Sequence, residues 1–120
     1  KIFEMDLEAI LLNLLKNAYH ACQQVARTRQ VKIILASEKL DGRAGYHITV
    51  SDSGPGVADE YTQKIWEPLF STKMDRNGKQ VGTGLGLTIV KSIADELKGV
   101  VSVGRDQALK GARFKIWLPS

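Results

Sequence analysis

Three glycines have the residue type and the spacing of a site that could bind an anion. Gly82, Gly84 and Gly86 alternate with other residues, and a helical pattern of apolar residues follows at once. A helix N-terminus has unbonded backbone N–H groups and the positive end of the helix dipole, and glycines let a ligand approach them closely. The arrangement suits a phosphate chain, although the spacing is neither that of the dinucleotide fingerprint nor that of a P-loop. A glycine-rich turn that only begins a helix is the alternative.

Two asparagines could supply oxygen ligands to a metal ion. Asn13, Asn17 and His20 fall on one stripe of a leucine-rich helix, well away from its apolar face. Asparagine is a mediocre helix former because its amide competes for backbone partners, so two of them four residues apart need a reason. Their amide oxygens suit a hard cation, which prefers oxygen ligands. A solvated polar face is the alternative.

One carboxylate stands beside an open stretch of backbone. Asp52 comes at the predicted end of a strand and is followed by Gly54 and Gly56. Such a carboxylate could accept a hydrogen bond from the exocyclic amine of a nucleotide base, a buried contact that discriminates strongly between bases. The alternative is an Asx-type turn, in which the aspartate bonds its own backbone.

Hydrophobic patterns predict the elements that carry these residues. One helix is predicted over residues 7–22, and a second over residues 87–98, where Gly99 stops it. Strands are predicted over residues 31–36, 46–50, 100–103 and 111–118. Residues 57–80 are irregular, and a loop this long inside a compact domain is usually a lid or a binding loop.

Length and composition limit the class of protein. The chain has 120 residues, of which 43% are apolar, which suits one globular domain with a modest core. The net charge is +4, but the basic residues are scattered and not interleaved with aromatics, which argues against a nucleic-acid surface. Cys22 is the only cysteine, so no internal disulfide can form, and we expect it in the core. No run is long enough to span a membrane, and we expect one domain of a longer protein.

Four separated motifs together resemble those of a known family. In chain order they are Asn13-Leu14-Leu15-Lys16-Asn17-Ala18, Asp52-x-Gly54-x-Gly56, Glu67-Pro68-Leu69-Phe70-Ser71-Thr72-Lys73 and Gly82-Thr83-Gly84-Leu85-Gly86-Leu87. They resemble the N, G1, F and G2 boxes in the catalytic, ATP-binding domain of sensor histidine kinases, a Bergerat-type ATP-binding fold shared with gyrase-, Hsp90- and MutL-like ATPases. The last two boxes look most like those of nitrogen-regulation and dicarboxylate-sensing kinases. The resemblance covers residues 7–119.

The resemblance implies an α/β fold, a two-layer sandwich with three main helices on a mixed, largely antiparallel sheet. It implies that Asn17 ligates Mg²⁺ with help from Asn13, and that Asp52 accepts the amino group of the adenine of ATP. His20 would contact phosphate or be solvated. The remaining positions are Gly54 and Gly56 beside the purine, Phe70 and Lys73 in an ATP lid over about residues 57–81, and Gly82, Thr83, Gly84, Leu85 and Gly86 around the phosphates.

Position 13 separates a kinase from a hydrolase within this superfamily. The hydrolysing relatives have a glutamate there, which acts as a base toward water, whereas Asn13 cannot take a proton at neutral pH. General-base assistance is typically worth about 10²–10⁴-fold in rate. The resemblance therefore implies phosphoryl transfer to a histidine on the parent's dimerisation domain. Neither His20, followed by Ala21, nor His47, followed by Ile48, fits that acceptor, which an acidic residue typically follows.

Partners and location follow only from the resemblance. It implies a response regulator downstream, a homodimeric parent, no nucleic acid and no membrane contact by this domain. It also implies a cytoplasmic domain whose parent could be anchored in the bacterial inner membrane. A stand-alone ATPase and a degenerate domain that only senses nucleotide are the alternatives. Many relatives have a threonine near Ala112 that supports adenine through water, so the adenine end of this site is expected to bind less tightly.

Overall fold

The computed structural model describes residues 4–26, 28–67 and 86–120, and these form one antiparallel sheet with two α-helices on one of its faces. The elements are α1 (Glu4–Cys22), β1 (Val31–Ser37), β2 (Gly45–Asp52), α2 (Gly86–Glu96), β3 (Val100–Arg105) and β4 (Ala112–Pro119). Two short 3-10 helices, Asp59–Tyr61 and Lys64–Trp66, lie between β2 and α2. The predicted α/β two-layer architecture is confirmed.

The sheet has the strand order β1-β2-β4-β3, and each neighbouring pair is antiparallel. We predicted a mixed, largely antiparallel sheet. The connection through α2 does join two strands that run in the same direction, β2 and β3, but β4 lies between them. The described strands therefore contain no parallel pair.

The described residues contain two α-helices, where three main helices were predicted. Between β2 and residue 68 the chain forms the two 3-10 helices. Ile65 and Trp66 are nevertheless buried, each 7% exposed. This short segment therefore contributes to the hydrophobic core.

The core lies between the two helices and the inner face of β2 and β4. Its fully buried members are Ile10, Leu14, Ala18, Ile48, Val50, Val90, Ala94, Ile116 and Leu118. They recur at helical spacing in α1 and α2 and at alternate positions in the strands, as the hydrophobic patterns predicted. Cys22 is also buried, as expected, with 4% of its surface exposed.

β1 differs from the other strands because all seven of its residues are exposed. α1 packs on β2, and α2 packs on β3 and β4, so the edge position of β1 leaves its apolar side chains in solvent. Ile33 is 51% exposed and Leu35 is 63% exposed. The stability of the domain therefore depends little on these side chains.

Truncating one leucine in each environment tests this description of the core. Leu14→Ala is expected to lower the free energy of unfolding by about 2–3 kcal/mol, because the side chain is 0% exposed and its loss leaves a cavity. Leu35→Ala, at 63% exposure, is expected to cost less than about 1 kcal/mol. Urea denaturation measures both, and equal losses would contradict the burial assigned to β1.

The end of α2 shows how the helix stops just before Gly99, as predicted. The left-handed residue is Lys98, with φ of 62°, and the N–H of Gly99 donates to the carbonyl of Ala94 over 2.7 Å. This is a Schellman cap. Position 99 requires glycine because there is no room for a side chain: a Cβ there would overlap the Trp117 carbonyl and lie 2.7 Å from Leu118 Cδ2.

Candidate functional site

Asp52 ends β2 as a buried acceptor, with 1% of its surface exposed. Its Oδ1 accepts from the backbone N–H of Gly54 at 2.9 Å and from that of Ala112 at 3.3 Å. The first bond is the Asx-type turn that the sequence offered as an alternative, so that interpretation is correct for Oδ1. A carboxylate has about four acceptor positions, and the turn does not exhaust its capacity to accept from a nucleotide base.

Ser53 fastens the end of β2 to the chain that follows α1. Its Oγ donates to the carbonyl of Thr28 at 2.9 Å and accepts from the N–H of Gln30 at 2.8 Å. The Sγ of Cys22, the last residue of α1, lies 3.6 Å from the same Oγ. Ser53 was not among the residues predicted to form the site. Its only signal was a hydroxyl next to the candidate carboxylate, and its partners come from distant parts of the chain.

Two glycines let neighbouring backbone reach the carboxylate. A Cβ at Gly54 would lie 2.8 Å from the carbonyl oxygen of Ala21, so this glycine allows α1 to pack against the end of β2. A Cβ at Gly111 would overlap the backbone of Asp52 and lie 2.6 Å from its Oδ1. Gly56 has φ of +83°, a left-handed angle that favours glycine. Gly111 was missed by sequence reasoning because its neighbour in space is 59 positions away in the sequence.

Asn13 faces the first residue of α2. Its Nδ2 donates to the carbonyl of Ala9 at 2.7 Å, and its Oδ1 would lie 3.2 Å from a Cβ at Gly86. Asn17 is half-buried one turn later on the same helix. We predicted that the asparagine stripe lies well away from the packed face of α1. It instead flanks that face, at the boundary between α1 and α2. The packing of α1 against α2 determines this position of the stripe.

His20 is half-buried at the end of the same stripe. Its Nδ1 is inaccessible to water and has no hydrogen-bond partner within the described part of the chain. The ring packs edge-to-face with that of Tyr19, with 5.6 Å between the centroids. A freely solvated imidazole, the alternative in the sequence analysis, does not describe this nitrogen.

Trp66 packs against the core from within the segment predicted to be a lid. Its ring packs edge-to-face on Phe114 at a centroid distance of 5.9 Å, and its carbonyl accepts from Thr88 Oγ1 at 3.3 Å. The first turn of α2 is thereby joined to residue 66. The predicted site residues Phe70, Lys73, Gly82, Thr83, Gly84 and Leu85 lie outside the described residues.

Asp106 stabilises the β3–β4 hairpin that carries Gly111 and Ala112. The N–H of Leu109 donates to its Oδ1 at 2.8 Å, and Lys32 Nζ lies 3.1 Å from its Oδ2. The hydrogen bond from Leu109, together with Lys32, lowers the pKa of this carboxyl to about 2, although burial opposes the shift. The ordinary value is 3.8. The folded protein thus favours the ionised form.

This pKa shift predicts an acid-dependent loss of stability. Because the pKa is depressed in the folded state, the stabilisation is present above pH 3.8 and is lost as the pH falls toward 2. Asp106→Asn is expected to flatten the dependence of the unfolding free energy on pH in that window, whereas Asp95→Asn, in an exposed pair with Lys91, leaves it nearly unchanged. Thermal unfolding at pH 2–6 measures this. Equal slopes for Asp106→Asn and the wild type would contradict it.

Comparison with known proteins identifies the family. The sequence profile described as "Histidine kinase-, DNA gyrase B-, and HSP90-like ATPase" matches residues 3–120. The chain belongs to this family. It is an ATP-binding catalytic domain of the histidine kinase-, gyrase- and HSP90-like class, with the fold and the order of motifs described above.

Sensor histidine kinases are among the relatives found within this ATPase family. Sensor histidine kinase ZraS of Salmonella typhimurium LT2 is 39% identical over 113 residues, which cover 94% of this chain and 22% of ZraS. The chain therefore spans about a fifth of that relative. The structure of the mycobacterial sensor histidine kinase MprB is 26% identical with a TM-score of 0.76, covering 98% of this chain and 72% of the other. Full-length ShkA in complex with AMPPNP is 30% identical with a TM-score of 0.68, covering 95% and 21%.

Two further properties of the described residues concern metals and membranes. Within residues 4–26, 28–67 and 86–120, no three or more His, Cys, Asp or Glu side chains are grouped to hold a metal ion. The oxygen ligands considered for Mg²⁺ are amides and phosphates, which such a grouping does not include. None of the helices in the described residues has the length and apolar character to cross a bilayer.

Proposed function

We propose that this domain binds Mg-ATP and donates the γ-phosphoryl group to a histidine on the dimerisation domain of its parent chain. One observation carries the proposal: α1 connects a buried carboxylate to a pair of amides. Near its C-terminus, Ala21 contacts Gly54 beside Asp52. Asn13 meets the start of α2 eight residues earlier, about 12 Å along the helix axis. That separation is of the order of an extended nucleoside triphosphate.

The residues present fit ATP at both ends. Asp52 offers a buried acceptor that suits the amino group of adenine, and Gly54, Gly86 and Gly111 allow the close packing that holds Asp52 and Asn13 in place. Asn17, with Asn13, supplies the amide oxygens that Mg²⁺ prefers. ShkA, a relative, was crystallised with AMPPNP, a nucleotide of the same shape. His20, half-buried one turn after Asn17 on the same helix, is proposed as a phosphate contact beside the two asparagines.

The other assignments belong to the same proposal. Phe70 and Lys73 would act from a lid over residues 57–81, and the N–H groups around Gly82, Thr83, Gly84, Leu85 and Gly86 would hold the phosphates. When bound, Mg-ATP supplies the phosphoryl group and neutralises its charge. This chain orients it: Asp52 fixes the base, and α1 and the start of α2 fix the phosphates.

Kinase rather than hydrolase chemistry is supported by Asn13. Its amide cannot act as a base, and its Nδ2 already donates to Ala9 within the helix. No water is therefore activated at this position, and the γ-phosphate persists until an acceptor arrives. A stand-alone ATPase and a purely nucleotide-sensing domain are the competing functions.

The setting of the domain is proposed on the same grounds. Residues 1–120 would form the catalytic domain of a homodimeric sensor kinase that passes its phosphoryl group to a response regulator. The domain would be cytoplasmic, with a parent anchored in the bacterial inner membrane. The predicted nitrogen-regulation and dicarboxylate-sensing subtype is not supported, because the relatives reported above are ZraS, MprB and ShkA. The proposed chemistry does not depend on the subtype.

A phosphotransfer assay tests the proposal. The parent's dimerisation domain is mixed with this chain, Mg²⁺ and ATP labelled at the γ-phosphate. We expect an acid-labile, alkali-stable phosphohistidine on the dimerisation domain, and at least about a 100-fold slower reaction with Asn17→Ala, which removes a proposed metal ligand. Steady phosphate release without that domain would favour the ATPase, and ATP binding with no phosphohistidine would favour the sensing domain.

A further inference from the structure

We propose that Arg105 is a specificity-determining residue that donates a hydrogen bond to the adenine base. The inference rests on the proposed function, since it assigns a second contact to the base end of the same site. Arg105 is the last residue of β3, and no motif in the sequence analysis included it.

The strand register places Arg105 beside the carboxylate that would bind the base. Arg105 pairs directly with Ala112, so both side chains lie on the face of the sheet that carries the helices. The N–H of Ala112 is one of the two donors to Asp52 Oδ1. The arginine is therefore one strand away from the residue that supports the base acceptor.

The guanidinium reaches the glycine loop that follows Asp52. Arg105 Nη1 lies 3.6 Å from the position that a Cβ on Gly56 would occupy, and the backbone of Gly111 lies 3.8 Å from the same position. A side chain at position 56 would meet the guanidinium. The absence of one lets the charged group lie against the loop that borders Asp52.

This guanidinium has no carboxylate to neutralise it in the described part of the chain. The salt bridges there join Lys32 to Asp106, Lys91 to Asp95 and Lys115 to Glu38. Arg105 itself is exposed and makes no ion pair or hydrogen bond there. Its five N–H donors are thus available at the border of the site.

Asp52 as acceptor and Arg105 as donor, side by side, match adenine better than guanine. Adenine has an amino donor next to a ring-nitrogen acceptor on the same edge, whereas guanine has a carbonyl acceptor next to an N–H donor. Asp52 can accept only from the amino group, and Arg105 can donate only to the ring nitrogen. Guanine would place its carbonyl against the Asp52 carboxylate and its N–H against the Arg105 guanidinium, which leaves the buried carboxylate without a donor from the base.

Nucleotide titrations followed by NMR test this role. ADP, GDP and adenosine are titrated into the wild type, Arg105→Gln and Arg113→Gln. Arg113 is the matched control because it adjoins Ala112 but lies on the opposite face, with Nη2 3.6 Å from the Cβ position of Gly104. We expect Arg105→Gln to weaken ADP and adenosine by the same factor, about 5–10-fold, with GDP changed less than about 2-fold. Arg113→Gln is expected to change none of them.

The outcomes separate this inference from the proposed function. If the wild type binds ADP but Arg105→Gln binds it equally well, Arg105 has no role in recognising the base. A loss for ADP without a loss for adenosine would show that the arginine acts on the phosphates, which also overturns the inference. If the wild type binds neither ADP nor adenosine, it is the proposed function that fails.

Discussion

Asp52→Asn is expected to weaken ATP binding by about 100-fold while leaving the fold intact. The asparagine Oδ1 can still accept from the N–H groups of Gly54 and Ala112, at 2.9 and 3.3 Å, so the turn survives. Its amide nitrogen, however, can only donate, and it would meet the amino group of adenine donor to donor. A lost charged hydrogen bond and an unpaired buried donor together account for about 3 kcal/mol. Calorimetric titration with Mg-ATP measures the change.

Two controls make this result specific. The denaturation midpoint of Asp52→Asn is expected to stay close to that of the wild type, since both backbone bonds to Oδ1 persist. Asp52→Ala, which leaves two buried N–H groups without an acceptor, is expected to lose about 1–3 kcal/mol of stability for each. An Asp52→Asn protein that is folded and binds ATP like the wild type would show that the base lies elsewhere.

Gly111→Ala is expected to destabilise the domain and abolish nucleotide binding together. The added Cβ would overlap the backbone of Asp52 and lie 2.6 Å from its Oδ1 and 2.7 Å from the Gly54 nitrogen. Because the Asp52 and Gly54 backbone atoms are rigid neighbours, the hairpin must move away from the end of β2. We expect a loss of about 3 kcal/mol or more in the free energy of unfolding and more than about 100-fold in ATP affinity. Urea denaturation and calorimetry measure the two quantities.

Gly104→Ala is the matched control on the same hairpin. A Cβ there would meet only Arg113 Nη2, the end of a flexible side chain, at 3.6 Å. We expect its stability to change by less than about 1 kcal/mol and its ATP affinity to be unaffected. Similar behaviour of the two variants would mean that Gly111 is not the residue that holds the hairpin against Asp52.

Much of the fold could be predicted because apolar periodicity reports burial within one element. The pattern that includes Leu14 in α1 predicted the helix and its buried face, and the strand containing Ile48 and Val50 was predicted with the correct inner face. Periodicity does not report what a neighbouring element covers. β1 looks as apolar as β2, yet it is exposed because it lies at the sheet edge beyond the helices.

The candidate site was only partly predictable for a related reason. Asp52 and the two asparagines could be selected because their chemistry is visible at one position. Gly111, Ser53 and Arg105 could not, because their contribution is the close approach of residues far apart in the sequence. The prediction that the asparagine stripe lies well away from the packed face was also wrong, because the packing of α1 on α2 places α2 beside the stripe.

A crystal structure of this chain with AMPPNP and Mg²⁺ tests the central claim most directly. We predict that the adenine amino group donates to the Asp52 carboxylate, and that the triphosphate extends along α1 to a metal ligated by Asn17 near the start of α2. AMPPNP bound at saturating concentration away from Asp52, or no nucleotide between the two helices, would contradict the claim.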